Sequence, residues 1–404
     1  MTTTSFREWS RPLDDPAALG RVLDGLLAGR GQQPALLALG EPTHGIAAFP
    51  LLRNDFLAHL VTRGYRSVAL ESNWFAAPLV NDYIGGADAE IDEVLAGGFS
   101  HGFGSVPGNR EIVEWLRTFN AGRPPHDRIR FYGFDAPLEY AGAPSPQRFL
   151  SGVFEHLPAV LRPEVAGRID DLAGDDADWT NEAAMFDPTV SIGLSERART
   201  LRVVADGLAD ALRRAAPELE PKDPDGFADA CVQVRTAQGL LRYHAAMATP
   251  GESRIGNLLQ VRAEMMAENL LDIVAREQAR GPSLVFAHNL HLLRGRSATA
   301  VHGAEIGGGS AGAIVADTLG ERYLCVVTDA GPHSEAGSLQ GLLSAVTDRR
   351  SLFDAAELRA ALPESVGAGE PMVPGHLPLR PEDLDGADAV IFVGDTDGKR
   401  HQYW

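Results

Sequence analysis

The chain has 404 residues, with 36 Lys and Arg against 55 Asp and Glu and a formal charge of −19 at pH 7. Nucleic acid and anionic membrane surfaces repel such a protein, which excludes both as general partners. Hydrophobic residues at 44% and charged residues at 23% fit a folded globular protein, long enough for one large domain or a few average ones.

In chain order, the opening Met1 to Trp9 lacks the apolar core of a signal peptide,. Ala35 to Leu39 is a short apolar run bounded by turn residues and reads as a strand,. Pro50 then opens an amphipathic stretch with Leu52, Phe56, Leu57, Leu60 and Val61 at helical spacing, closed by Gly64,. Ser67 to Leu70 is the next strand, which makes a βαβ unit and implies parallel strands with a right-handed crossover,. Ile129 to Tyr132 is a third strand. From about 145 to 280 strand signals are few, and long helical periodicities run through Leu201, Val204, Leu208 and Leu212, then Leu258, Val261, Met265 and Met266,. Pro217, Pro221 and Pro224 mark a break between two of these helices,. Ser283 to Ala287, Tyr323 to Val327 and Ala389 to Val393 complete the strands.

Because strands lie on both sides of the helical stretch, residues 1–404 read as a single α/β domain, with 145–280 as a helical insertion. The expected fold is a mostly parallel central sheet flanked by helices, since near-continuous apolar strands suit a sheet covered on both faces. No stretch approaches the ~18 apolar residues that span a bilayer, and a cytoplasmic protein is expected. Lysine occurs only at Lys222 and Lys399, neither placed to serve a Walker A loop, a kinase or a pyridoxal-phosphate site,. Cys231 and Cys325 cannot supply a Cys-rich metal or iron–sulfur site and read as small core residues,.

The chemistry gathers where strands end. Leu36 to Gly40 runs into Glu41-Pro42-Thr43-His44-Gly45, Ser67 to Leu70 ends in Glu71, Ile129 to Phe134 ends in Asp135, and Leu284 to Ala287 ends in His288-Asn289. In an open parallel sheet, ligands bind outside the carboxyl ends of the strands, so these termini are expected to share one crevice. A lone carboxylate after a strand is commonly a helix N-cap. Two histidines and two glutamates in such places point instead to acid–base work, because burying them together is costly unless they are paired.

Gly40-Glu41-Pro42-Thr43-His44-Gly45 resembles the Gly-Glu-x-x-His-Gly signature of the erythromycin esterase family. Val68-Ala69-Leu70-Glu71, Trp115 to Asn120 followed by Tyr132-Gly133-Phe134-Asp135, Arg262 with Met266 to Asn269, and Ala287 to His291 continue the pattern over roughly residues 36 to 330. The resemblance implies an α/β sheet with a helical insertion and metal-free hydrolysis of a small-molecule ester or macrolide lactone, with no cofactor. It makes His44 the general base, with Glu41, Glu71 and His288 as the other catalytic residues, and Arg53 and His291 as secondary positions. Ester hydrolysis needs an activated water and a donor for the oxyanion, and the expected division of roles has His44 activate water, Glu71 or Glu41 orient it, and His288 or an arginine stabilise the oxyanion. Cyclisation, elimination or acyl transfer at the same site is the alternative.

Further candidates are weighed on geometry. Arg262 and Asn269 are seven apart, so on a helix both face one side and can reach the crevice. Asp135 either orients a site group or caps the next helix. His291 shares a face with His288 if a helix begins there, and otherwise lies on the surface. His101, in the Gly-rich Phe99-Ser100-His101-Gly102-Phe103-Gly104, is a candidate substrate contact. Gly308-Gly309-Ser310-Ala311-Gly312 satisfies a nucleophile-elbow pattern, but a glycine run precedes the serine and Val301 to Ile306 is too broken for a core strand, so a substrate-covering loop is expected there,. His44, His288 and a glutamate would be an acceptable zinc set, but their spacing matches no helical His-Glu-x-x-His motif. Phe286, Leu290 and Ser105 to Asn109 depart from the family pattern and point to altered specificity with retained catalysis.

Overall fold

The structure, a computed structural model, describes residues 3–139, 141–301, 304–331, 334–396 and 398–402. Its strands are β1 (Arg11–Pro12), β2 (Leu36–Glu41), β3 (Ser67–Asn73), β4 (Arg130–Asp135), β5 (Ser283–His288), β6 (Arg296–Val301), β7 (Ala304–Gly309), β8 (Tyr323–Asp329), β9 (Arg350–Asp354) and β10 (Ala389–Val393). Eight form one sheet in the order β1-β9-β10-β8-β2-β5-β3-β4. The six strands expected from their apolar runs are the six that pair in parallel, from β10 to β4. All of β2, β5, β8 and β10 is buried, as continuous apolar strands between two helical layers require,. The fold is α/β with a mostly parallel sheet.

Sequence reasoning did not find β9, which pairs antiparallel with β10, or β1, which pairs antiparallel with β9 at the sheet edge. Both are short and begin with an arginine, and β1 is exposed throughout. The 296–309 segment also differs from expectation, because β6 and β7 pair antiparallel as a separate two-stranded ribbon in place of a covering loop.

The chain divides into two compact units, residues 1–135 with 266–404, and Ala136–Met265. The first holds the sheet and its core, in which the helix Ala48–Val61 buries Phe49, Leu52, Phe56, Leu57 and Leu60. That helix starts two residues before Pro50, and Gly64, at φ +90°, stands just beyond its end. The second unit carries the helices Glu196–Leu219 and Pro224–Ala248. Asp223 caps the latter by accepting from the Gly226 amide, Pro224 is its first residue, and Pro217 lies inside the last turn of the former. No helix among the described residues is long and apolar enough to cross a membrane.

Candidate active site

Three adjacent strands deliver the central residues side by side. β5 lies between β2 and β3 although it comes more than two hundred residues later, and Glu41 and His288 are direct register partners at the carboxyl ends of β2 and β5. Glu71, from β3, accepts the backbone N–H of His288 through Oε2 at 2.8 Å. The chain leaves β2 through Pro42 and Thr43 and turns at Gly45, whose φ of +85° lies in the left-handed region that favours glycine,. This turn folds His44 back so that its Nδ1 lies 2.8 Å from Glu41 Oε1.

His44 Nε2 stands 3.7 Å from Glu71 Oε1, beyond a direct hydrogen bond, and its ring packs against Phe103 at 4.8 Å,. His291, on the one-turn helix Asn289–Leu292, places Nε2 3.2 Å from the same Glu71 oxygen. The side chains of His44 and His291 are 22% and 19% exposed, so both remain reachable while the two glutamates are buried. Burial raises the pKa of Glu41 above the ordinary carboxylate value, against the pull of the His44 hydrogen bond, and its Oε2 has no hydrogen-bond partner among the described residues. A cavity of about 30 Å³, the scale of one water, is lined by Glu41, His44, Arg53, Glu71, Phe103 and Phe286,.

His288 is placed differently from the expectation of an oxyanion donor. Its Nε2 faces the carbonyl of Pro42 at 3.0 Å, and because a carbonyl can only accept, Nε2 carries the proton,. Its Nδ1 accepts from the Leu290 amide at 3.2 Å, so both ring nitrogens are engaged by backbone. Burial pushes its pKa down to about 3, and the imidazole is neutral at physiological pH. His288 therefore fixes the Pro42 carbonyl and caps the His291 helix.

Arg53 is also a support. Its guanidinium donates to Asn54 (3.0 and 2.7 Å), to Asn109 Oδ1 (2.8 Å) and to the carbonyl of Gly108 (2.9 Å), and lies over the Phe286 ring at 5.0 Å. Burial lowers its pKa to about 9, so it stays charged at neutral pH. Asn109 in turn donates to the carbonyl of Phe103 (2.8 Å), and Arg53 thereby anchors the loop that covers His44. His101, in that loop, also packs against Phe103 at 5.5 Å and sets Nε2 3.5 Å from Asp135. Asp135 is fully buried at the end of β4 and faces His101 rather than capping the next helix, since Pro146 precedes the helix Gln147–His156. Asn269 is buried and donates to the carbonyl of Phe134 (3.0 Å), which makes it a support for β4. Arg262 belongs to the second unit.

Ser310 is not a nucleophile. Although a strand precedes it and the helix Ala311–Leu319 follows, its Oγ is buried, caps that helix by accepting from the Ala313 amide at 2.9 Å, and donates to the carbonyl of Leu293. Among the described residues no group of His, Cys, Asp and Glu has the arrangement of a metal site. Sequence reasoning missed Phe103 and Asn289. Asn289 extends the sheet beyond β5, its side chain donating to the carbonyl of Thr328 at 2.8 Å and accepting from the Thr328 amide at 3.4 Å. Its position directly after a strand-end histidine was the available signal.

The sequence model described as erythromycin esterase matches residues 61–370. Among solved structures the chain is similar to a Bacillus cereus protein, at 17% identity and TM-score 0.71 over 97% of each chain. It is also similar to a succinoglycan biosynthesis protein, at 15% identity and TM-score 0.65 over 97% of this chain and 95% of that one. A third is a histidine-to-asparagine mutant of the erythromycin esterase EreC in its open conformation, at 17% identity and TM-score 0.68 over 95% of each chain. At these identities the likeness concerns the fold. No curated protein matches the sequence.

Proposed function

The chain belongs to the erythromycin esterase family, and from that premise we propose that it hydrolyses an ester or lactone bond of a macrolide or related natural product, with His44 activating the attacking water. The observation that carries this reading is the 2.8 Å pairing of His44 Nδ1 with the buried Glu41, beside a second carboxylate that also holds His291. Ester hydrolysis at neutral pH needs a water deprotonated as it attacks, a donor for the developing oxyanion and a proton for the leaving alcohol. Ionised Glu41 accepts Nδ1–H of His44 and so makes Nε2 the basic atom, with the tautomer fixed by the carboxylate.

Glu71 Oε1 accepts one hydrogen of the water while His44 Nε2 removes the other. The imidazolium that forms lies between two carboxylates, which stabilise its charge as it develops. His291, standing beside Glu71, turns its one N–H to the carbonyl oxygen of the substrate as negative charge builds there,. His44 then returns its proton to the leaving alcohol. His288 and Arg53 hold the frame and take no proton in this scheme.

Incubating the protein with a panel of macrolide lactones and simpler esters, with a chelator present, tests the reading by mass spectrometry. Products heavier than substrate by one water, or a pair of fragments that together account for it, are expected. Products of unchanged mass would mean rearrangement and overturn the hydrolytic assignment.

A further inference from the structure

A second buried Asp–His pair lies at the carboxyl end of β8, outside the site just described. Asp329 is fully buried, its Oδ1 accepting from the Ala330 amide (2.8 Å) and His376 Nε2 (2.9 Å), its Oδ2 from Gln340 Nε2 (2.6 Å) and the Leu379 amide (2.8 Å). His376 accepts the Met372 amide at Nδ1 (2.9 Å), so the ring is neutral and bridges the strand end to the loop 369–380,. Gln340 also donates to the carbonyl of Leu379 (2.8 Å) and accepts from the Gly369 amide (2.6 Å). Burying an acid, an imidazole and an amide together is costly, and a fully satisfied network of this kind fixes one geometry where apolar packing would tolerate several.

The next residue shows what that geometry holds. Leu377 donates its amide to the carbonyl of Pro42 at 3.0 Å, the same oxygen that accepts Nε2–H of His288. Pro42 stands between Glu41 and His44, so this one carbonyl ties the loop 369–380 to the strand-end turn that carries the base. The family model ends at residue 370, before His376.

We propose that His376 is a positioning residue: clamped on Asp329, it sets Leu377 against the Pro42 carbonyl and so holds both the His288 ring and the His44 turn in register. Its effect on turnover rests on the hydrolytic reading above, whereas its effect on His288 does not.

The test uses the full chain, labelled with nitrogen-15 histidine, and erythromycin as the probe ester. In His376→Leu the Nε2–H resonance of His288 should shift or broaden, and kcat should fall on the order of tenfold to a hundredfold, as small misplacements of catalytic groups do. KM should stay within about twofold, because the loss falls on the reacting geometry. His376→Gln, which can still donate to Asp329, should recover part of both signals. If His376→Leu does not fold, Leu377→Pro carries the test, since it removes the amide that reaches Pro42 and leaves the Asp329 network in place.

A folded variant with the His288 resonance and kcat of the wild type overturns the proposal while the hydrolytic reading stands. A wild type that leaves erythromycin and every other ester intact, but whose His288 resonance moves in these variants, removes that reading and supports the clamp.

Discussion

Asn289 approaches Gly40 so closely that a Cβ on Gly40 would lie 2.2 Å from Asn289 Oδ1 and 3.1 Å from its Cα. The first glycine of the Glu41–His44 motif is therefore needed for the close meeting of two strand ends. Gly40→Ala should push Asn289 off Thr328 and lower stability by about 1–3 kcal/mol, as overpacking in a close-packed interior does. Thermal denaturation measures it, with Gly25→Ala as control. Gly25 is exposed in the helix Pro16–Ala28 with nothing within 4 Å of the new Cβ, and alanine there should add about 0.5–1 kcal/mol. An unchanged melting temperature for Gly40→Ala would mean that the strand ends can part without penalty.

His44→Ala should lower kcat/KM by about 10²–10⁴-fold, the usual range for a lost general base. The mutation also removes the hydrogen-bond partner of the buried Glu41 Oε1. A melting temperature a few degrees lower is therefore expected, and Glu41→Gln added to His44→Ala should restore most of it by removing the carboxylate charge. Two single effects on stability that simply add would show that the pair is not coupled.

The parts of the molecule that were legible in the sequence share a physical cause. Strands covered on both faces must be apolar along their length, and all six of that kind could be read; β9, starting at Arg350 and ending at Asp354, and the Ala- and Gly-rich ribbon 296–309 carry no such signal. The strand-end rule found Glu41, Glu71, Asp135 and His288, and extended two residues beyond Val327 it would have found Asp329 as well. The work done by His288 and Arg53 was hidden, because it depends on carbonyls of Pro42 and Gly108 that are brought near only by folding. Asn269 was expected at the crevice from helical spacing, which places a side chain on a face without saying what that face meets.

Acid should destabilise the protein through its buried histidines. Burial holds His288 at about 3 and His244 at about 4, while each titrates near 6.5 in the unfolded chain. As pH falls from 6.5, the unfolded chain takes up these protons first, so stability drops by up to about 1.4 kcal/mol per pH unit for each histidine. The loss continues to about 4 for His244 and about 3 for His288. Glu41 works the other way. Its raised pKa lets the folded state bind a proton first, which adds stability as pH falls from its folded value to its unfolded one,. Asp55, also raised by partial burial, works as Glu41 does, while Asp24, Asp127, Asp187 and Glu218 are lowered by their hydrogen-bond partners and lose stability together with the two histidines. The net is a fall, measurable as a declining urea midpoint between pH 6.5 and 4. His244→Gln should flatten the curve above pH 4, and a midpoint independent of pH in this range would mean that neither ring is held neutral.

Among the described residues His101 is the one non-glycine with positive φ, at 56°. A left-handed conformation costs a side chain with a Cβ roughly 1–2 kcal/mol, and the neighbouring Gly102 (φ +68°) shows that the loop turns here in any case. His101→Gly should recover much of that cost, offset by the lost packing on Phe103 and the contact with Asp135. If the strain is kept because it sets Phe103 over His44, the variant will melt at the same temperature or higher and still lose kcat/KM. Asparagine tolerates the left-handed region better than most residues. His101→Asn should therefore keep the backbone while removing the ring, which separates the two contributions: activity retained in asparagine but lost in glycine assigns the effect to the loop's shape, and activity lost in both assigns it to the imidazole. A rise in melting temperature with full activity in both variants would make the strained residue incidental to the site.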